Sequence, residues 1–365
     1  MQLSAFFIGR RKKIRVMILS QKRLVQILGI LWLINGLLQV QPEMFTMNMV
    51  NGIMVPVVQA QPAPIAANLN WIVAVTTQNL TLINLLIAFV QIGIGVCLLV
   101  GSRRYPASSL VKGAVIASVV WALVVWYAGE GMSLLLTGQA SILTGAPGAV
   151  LLYPLLGLVV YPHWAATSQN QARGKEPAGI LSRQQLRWGL GAFWLFAALL
   201  QLQPYWWQPE QISQAIGSMS GQGGLDGLFV DPVLNWLSNL TGPSETPLNL
   251  VLILLFLGLG IGLLLVKNEQ VRPLLVLSMV VSFVLWWGAE AFGMILTGMA
   301  TDFNSGLLLI IMALACWPHL SRAQGERQAQ VARVLRRDVQ LRRPHNPVPC
   351  IVISRVPCIQ STYAK

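Results

Sequence analysis

The chain has 365 residues, 55% of them hydrophobic and 10% charged, with a mean hydropathy of +0.62. A soluble domain carries about 25% charged residues, so the composition excludes an ordinary water-soluble enzyme. It also excludes a disordered or collagen-like chain, which would lack this much apolar sequence. The net charge of +13 would suit nucleic acid by its total, but its placement does not. All 25 Lys and Arg residues fall in five clusters, and the segments 24–102, 113–172, 188–266 and 273–321 contain none.

Each basic cluster lies beside apolar runs that suit a bilayer. With every cluster on the cytoplasmic side, that side holds all the basic residues and four acids, Glu176, Glu269, Glu326 and Asp338. The opposite side then holds eight acids and no basic residue. Lys and Arg are retained on the cytoplasmic side during insertion, so this pattern orients the chain with both termini inside. The surplus attracts anionic lipid, and nucleic acid is not expected as a partner.

A helical span takes about 20 apolar residues, because the hydrocarbon core is about 30 Å thick. The sequence predicts spans near 24–41, 82–100, 111–130, 147–162, 188–203, 248–266, 273–290 and 305–318. The fourth and eighth are short and are expected to start in the loops before them. The first run is read as retained rather than as a cleaved signal peptide: it lacks a small-residue cleavage site, and a matching run recurs mid-chain.

That recurrence organises the chain. Leu37-Leu38-Gln39-Val40-Gln41-Pro42 returns as Leu199-Leu200-Gln201-Leu202-Gln203-Pro204, and Trp32 returns as Trp194. Leu69-Asn70-Trp71 and Asn84 return as Leu234-Asn235-Trp236 and Asn249. Trp126, Glu130 and Leu136-Thr137-Gly138 return as Trp286, Glu290 and Leu296-Thr297-Gly298, and Pro162-His163 as Pro318-His319. The expected fold class is therefore an all-α transmembrane eight-helix bundle made of two parallel four-helix repeats. Its parts are a basic cytoplasmic N-terminus (1–23), a first repeat (24–163), a linker (164–187), a second repeat (188–319) and a basic tail (320–365). The tail is expected to hold an Arg-rich amphipathic stretch at 321–343 and disorder beyond it.

The long outward connections are free of basic residues. Within them, 64–73 and 231–237 read as short amphipathic helices on the outer surface, with Trp71 and Trp236 at headgroup level. A lid over a central cavity is the alternative. Met44, Met47 and Met49 resemble a soft thioether set for Cu(I), but methionine is also an ordinary apolar filler, and no metal is expected.

Glu130 and Glu290 are the principal candidate site residues, because ionisable side chains in spans are costly and face protein or water. Trp126 and Trp286 lie one turn earlier on the same faces. Thr137-Gly138 and Thr297-Gly298 are expected to break the helices and to direct hydroxyls toward the same space. Such a pair could carry protons or bind a cation; it could equally bond a nearby backbone. Asp302 reads as an N-terminal cap for the eighth span. No catalytic motif, Cys-x-x-Cys pair or phosphate loop is present, so an enzyme is the lesser expectation. His163 and His319 follow Pro at inner helix ends, which does not suit a haem pair.

The string Trp126, Glu130-Gly131, Leu136-Thr137-Gly138 and Gly145 to Tyr153 resembles a group of uncharacterised bacterial polytopic membrane proteins. More loosely, Arg23, Gly29, Gly36 and Pro42 resemble the first span of the four-span DoxX-like proteins, although the second copy has Ala198 in place of Gly36. The resemblance implies a bacterial plasma-membrane protein with no stated activity. Through DoxX relatives it implies a non-catalytic subunit of a quinone-linked redox system, with quinone as a bound cofactor. Three readings stand: binding or transport of a small solute, ion or proton near Glu130 and Glu290; that redox subunit, with a membrane redox partner; and a structural membrane module.

Overall fold

The computed structural model describes residues 19–59, 61–162, 179–221 and 225–318, without the side chains of Asp226 and Pro243. Most of the N-terminal basic segment, residues 163–178 of the linker region and the whole tail lie outside the described residues. So do His163, His319, His345, Cys350 and Cys358. Among the described residues the fold is entirely helical.

In chain order the helices are α1 (Gln21–Leu38), α2 (Met47–Val58), α3 (Ala63–Gln78), α4 (Leu80–Ser102), α5 (Ser109–Ala128) and α6 (Leu152–Val160). They continue with α7 (Arg183–Gln201), α8 (Gln211–Gly217), α9 (Asp231–Thr241), α10 (Glu245–Leu265), α11 (Arg272–Gly288) and α12 (Asn304–Ala315). Local chemistry sets their starts. The Ser20 hydroxyl accepts from the Arg23 N–H at 3.3 Å and opens α1. Ser182 opens α7 in a capping box: its hydroxyl accepts from Gln185 N–H, while Gln185 Oε1 accepts from Ser182 N–H. Each box satisfies amide groups that the first helical turn leaves without partners.

Three helices, α4, α5 and α10, are long and apolar enough to cross a membrane by length and composition. α1 and α7 have 18 and 19 residues, but they open on Lys22 and Arg23 and on Arg183 and Arg187. The spans expected at 147–162 and 305–318 contain helices of only 9 and 12 residues, α6 and α12. At 1.5 Å per residue these reach about 14 and 18 Å, well short of a bilayer core. The physical cause lies just upstream, where left-handed residues and Gly turns keep 131–148 and 291–303 out of regular helix.

Packing follows the same cycle in each half. α1 packs on α4, α4 on α5, α5 on α6, and α6 back on α1. α7 packs on α10, α10 on α11, α11 on α12, and α12 back on α7. The closest pairs use glycine. A Cβ at Gly95 would stand 2.8 Å from Gly29 O, and one at Gly260 would stand 2.9 Å from Gly191 O. Small residues let the α1–α4 and α7–α10 backbones approach where lipid offers no hydrophobic drive to associate. Buried indoles tie each cycle across its middle: Trp32 Nε1 donates to Ser118 Oγ at 3.0 Å, and Trp194 Nε1 to Ser278 Oγ at 2.9 Å. At the starts of α1 and α7 Gln21 Nε2 donates to Val159 O, and Arg183 donates to Ala315 O.

The halves meet along α6, α7 and α12. There Trp206, fully buried, donates from Nε1 to Ala140 O at 3.1 Å, and Gln203 Nε2 donates to the same oxygen. Large apolar side chains face outward on the long helices, among them Phe89 on α4 (75% exposed) and Leu265 on α10 (78% exposed). Exposed apolar surface of this extent marks contact with lipid or another protein.

α3 and α9 lie where amphipathic helices were expected, both somewhat longer, with Trp71 and Trp236 exposed. Met44, Met49 and Met54 are buried together against Ile72, Val73 and Leu80. They form a small apolar core of their own, the filler role open to methionine.

Candidate functional site

Glu130 and Glu290 each stand just past the end of an apolar helix. α5 stops at Ala128 and α11 at Gly288, and the chain then turns left-handed. Gly131, Met132, Ser133 and Leu134 all have φ between 51° and 59°. Their counterparts Ala291, Phe292, Gly293 and Met294 have φ between 45° and 72°. The turns are closed by matching bonds of 2.7 Å, from Ser133 N–H to Glu130 O and from Gly293 N–H to Glu290 O. Left-handed backbone costs roughly 1–2 kcal/mol for each residue that is not glycine, so the surroundings must hold both turns. In the first half Gln61 Nε2 donates to Gly131 O at 2.8 Å. In the second, Phe292 is packed among Phe283, Trp286 and Trp287.

The reversal sends each carboxylate to the start of the next helix. Glu130 Oε1 accepts from Val150 N–H at 3.2 Å, in the turn Ala149–Leu151 that leads into α6, and Oε2 accepts from Ser133 Oγ at 3.3 Å. Glu290 Oε2 accepts from Gly306 N–H at 2.9 Å in the first turn of α12, and Oε1 accepts from Ser305 Oγ. A carboxylate at a helix N-terminus satisfies open N–H groups and meets the positive end of the dipole. Glu290 is fully buried and Glu130 half-buried.

The tryptophans hold the same junctions. Trp126 Nε1 donates to Pro147 O at 2.7 Å, and Trp286 Nε1 to Phe303 O at 2.6 Å. Gly148, at φ +120°, lies so close that a Cβ there would overlap Glu130 Oε2 and the Trp126 ring. At Gly306 a Cβ would overlap the Trp286 side chain and stand 2.8 Å from Ser282 O.

The threonines do not reach the carboxylates. Thr137 Oγ1 donates to Leu134 O at 2.7 Å and accepts from Gln139 N–H; Thr297 Oγ1 donates to Met294 O at 2.7 Å and accepts from Met299 N–H. Each hydroxyl is spent closing its own turn. Asp302 Oδ1 accepts from Asn304 N–H at 2.6 Å, but the cap position of α12 is Phe303 rather than Asp302, and Glu290 serves Ser305 and Gly306.

The two junctions lie close together across the meeting of the halves. α12 packs against α6 and the turn Ala149–Leu151. Asp302 and Glu290 both act electrostatically on Glu130, and Asp302 acts on Glu290. Tyr153, fully buried, lies in the field of Asp302 and Glu130. Its hydroxyl accepts from Asn35 Nδ2 at 2.8 Å, and the buried Asn35 Oδ1 has no partner. Among the described residues, no three His, Cys, Asp or Glu side chains converge closely enough to hold a metal ion.

Ser133, Gly148, Ser305, Tyr153 and Asn35 were not singled out in the sequence. Val150 and Gly306 act through backbone N–H groups, which every residue but proline carries and which therefore leave no mark in composition. The only sequence signal was indirect: Pro147 and Asp302, both suited to a helix start, follow the two Trp-x-x-x-Glu strings. The chain matches no protein-family model, no curated protein and no solved structure.

Proposed function

We propose that the chain is a multi-pass protein of the bacterial plasma membrane, in which eight helical passages form two parallel four-helix units with both termini cytoplasmic. We further propose that it binds, and passes, a proton or small cation near Glu130 and Glu290. The repeated sequence strings and the matched helix cycles support the doubled architecture. The short α6 and α12 follow irregular, partly buried segments, and such backbone is tolerated at membrane depth where it is covered by protein or lines a water-filled cavity.

The functional reading rests on one observation. Glu130 accepts from Val150 N–H in the turn Ala149–Leu151, Glu290 and Asp302 accept from N–H groups at the start of α12, and α12 packs on that turn, while segments 113–172 and 273–321 contain no Lys or Arg. Burying like charges together without a counter-charge is strongly unfavourable, and a proton or a single cation supplies that counter-charge. Tyr153 and the unpartnered Asn35 Oδ1 extend the polar path toward α1. The test is proton flux in reconstituted vesicles, followed with an enclosed pH-sensitive dye. Wild type should show flux above empty vesicles, and Glu130→Gln with Glu290→Gln should abolish it. Equal flux from wild type and the double variant rejects the proposal.

A second reading draws on the hydrogen bonds. Each carboxylate accepts from a helix-start N–H and a serine hydroxyl, so the pair also serves as staples that close the two units. On that reading alone, wild-type vesicles show no flux and the double variant loses stability only.

A further inference from the structure

A different part of the molecule holds buried polar atoms that the carboxylate junctions do not use. α7 ends at Gln201, and a helix C-terminus presents unpaired carbonyls and the negative end of its dipole. Asn249 of α10 is fully buried and donates from Nδ2 to Gln201 O at 3.1 Å. Its Oδ1 has no partner, and neither does Oε1 or Nε2 of the fully buried Gln201. One turn earlier on α10, hence on the same face, stands Glu245, 6% exposed. Its Oε1 accepts from Ser213 N–H at 2.7 Å, and its Oε2 has no partner.

We propose that Gln201, Asn249 and Glu245 form a binding site for a monovalent alkali cation. Three oxygens have no partner among the described residues, one of them from a carboxylate, and their side chains are linked by the Asn249-to-Gln201 bond and by one turn of α10. Leaving each such group buried and unsatisfied costs about 1–3 kcal/mol. Neutral and anionic oxygens at a helix C-terminus are the chemistry that replaces the water shell of a hard cation.

The first half supplies a comparison. Asn84 Nδ2 donates to Gln39 O at 2.7 Å, and Asn84 Oδ1 and Gln39 Oε1 likewise have no partners. There Leu80 stands one turn before Asn84, at the place of Glu245. That pair has the same amides but no charge, so the cation belongs to the second half. The inference does not depend on Glu130 or Glu290.

The experiment is equilibrium binding of radioactive sodium to the purified full chain in detergent. Wild type should bind sodium saturably at one ion per chain. Glu245→Gln and Asn249→Leu should each weaken binding about tenfold or more, a loss of one charged or one neutral ligand. Asn84→Leu should bind like wild type. Absence of saturable binding to wild type overturns the proposal, as does undiminished binding in Glu245→Gln and Asn249→Leu. If those variants do not fold, wild type still decides. Sodium should raise its unfolding midpoint above that in choline at equal ionic strength, and no rise overturns the proposal.

Discussion

In the first half, the hydroxyl that meets the carboxylate comes from Ser133 in the left-handed turn; in the second, it comes from Ser305 on the facing helix. The counterpart of Ser133 is Gly293, and the counterpart of Ser305 is Ala149. Each junction therefore keeps one serine, supplied from opposite sides. The turns are also supported differently, by the Gln61 amide in one half and by packed aromatic rings around Phe292 in the other. The backbone N–H bond, the tryptophan-to-carbonyl bond and the left-handed turn are common to both. Evidently the geometry at the carboxylate is constrained, while the source of the supporting groups is free to vary.

The strongest challenge to this comparison is steric. Gly148→Ala and Gly306→Ala should each destabilise by about 3 kcal/mol or more, since the added methyl meets backbone or ring atoms that cannot move aside and Gly148 also has positive φ. Unfolding of the purified variants in detergent measures this. A mild effect at either glycine would mean that its junction is less tightly closed than its partner.

Removing the carboxylates should rank the junctions by burial. Glu290→Ala should cost about 3 kcal/mol, because a buried N–H and hydroxyl lose a charged partner. Glu130→Ala should cost about 1–2 kcal/mol, because water can reach a half-buried site. The same unfolding measurement applies, and the reverse order would break the assignment of Glu290 as the more enclosed clasp.

The exchange of serines predicts the smallest effect and the most specific one. Ser133→Ala should cost about 1 kcal/mol, the net worth of one hydrogen bond. Adding Ala149→Ser should recover most of that loss by rebuilding the arrangement of the second half. Failure to recover would show that the two junctions are not interchangeable in this respect.

Much of this fold could be read from the chain because its signals are local. Apolar runs marked the helices, and the strings around Trp71 and Trp236 marked two further helices. The short α6 and α12 were harder. Leu152 to Val160 is as apolar as any long helix here, and nothing in Met132, Ser133, Leu134 or Phe292 favours left-handed backbone. Glu130 and Glu290 stood out because acids are scarce in apolar sequence. Thr137 and Thr297 looked like their companions by position, yet the tight turn directs each hydroxyl to a carbonyl three residues back.

The order of the helices and the doubled strings were thus legible in the sequence, since hydropathy and recurrence are properties of residues in a row. Which groups meet the carboxylates was settled only by tertiary structure. Val150, Gly306 and Ser305 reach them through a backbone reversal and a helix start that lie 15 to 20 residues apart along the chain. Contacts of that kind depend on how helices pack, and a main-chain N–H carries no residue identity by which they could be foreseen.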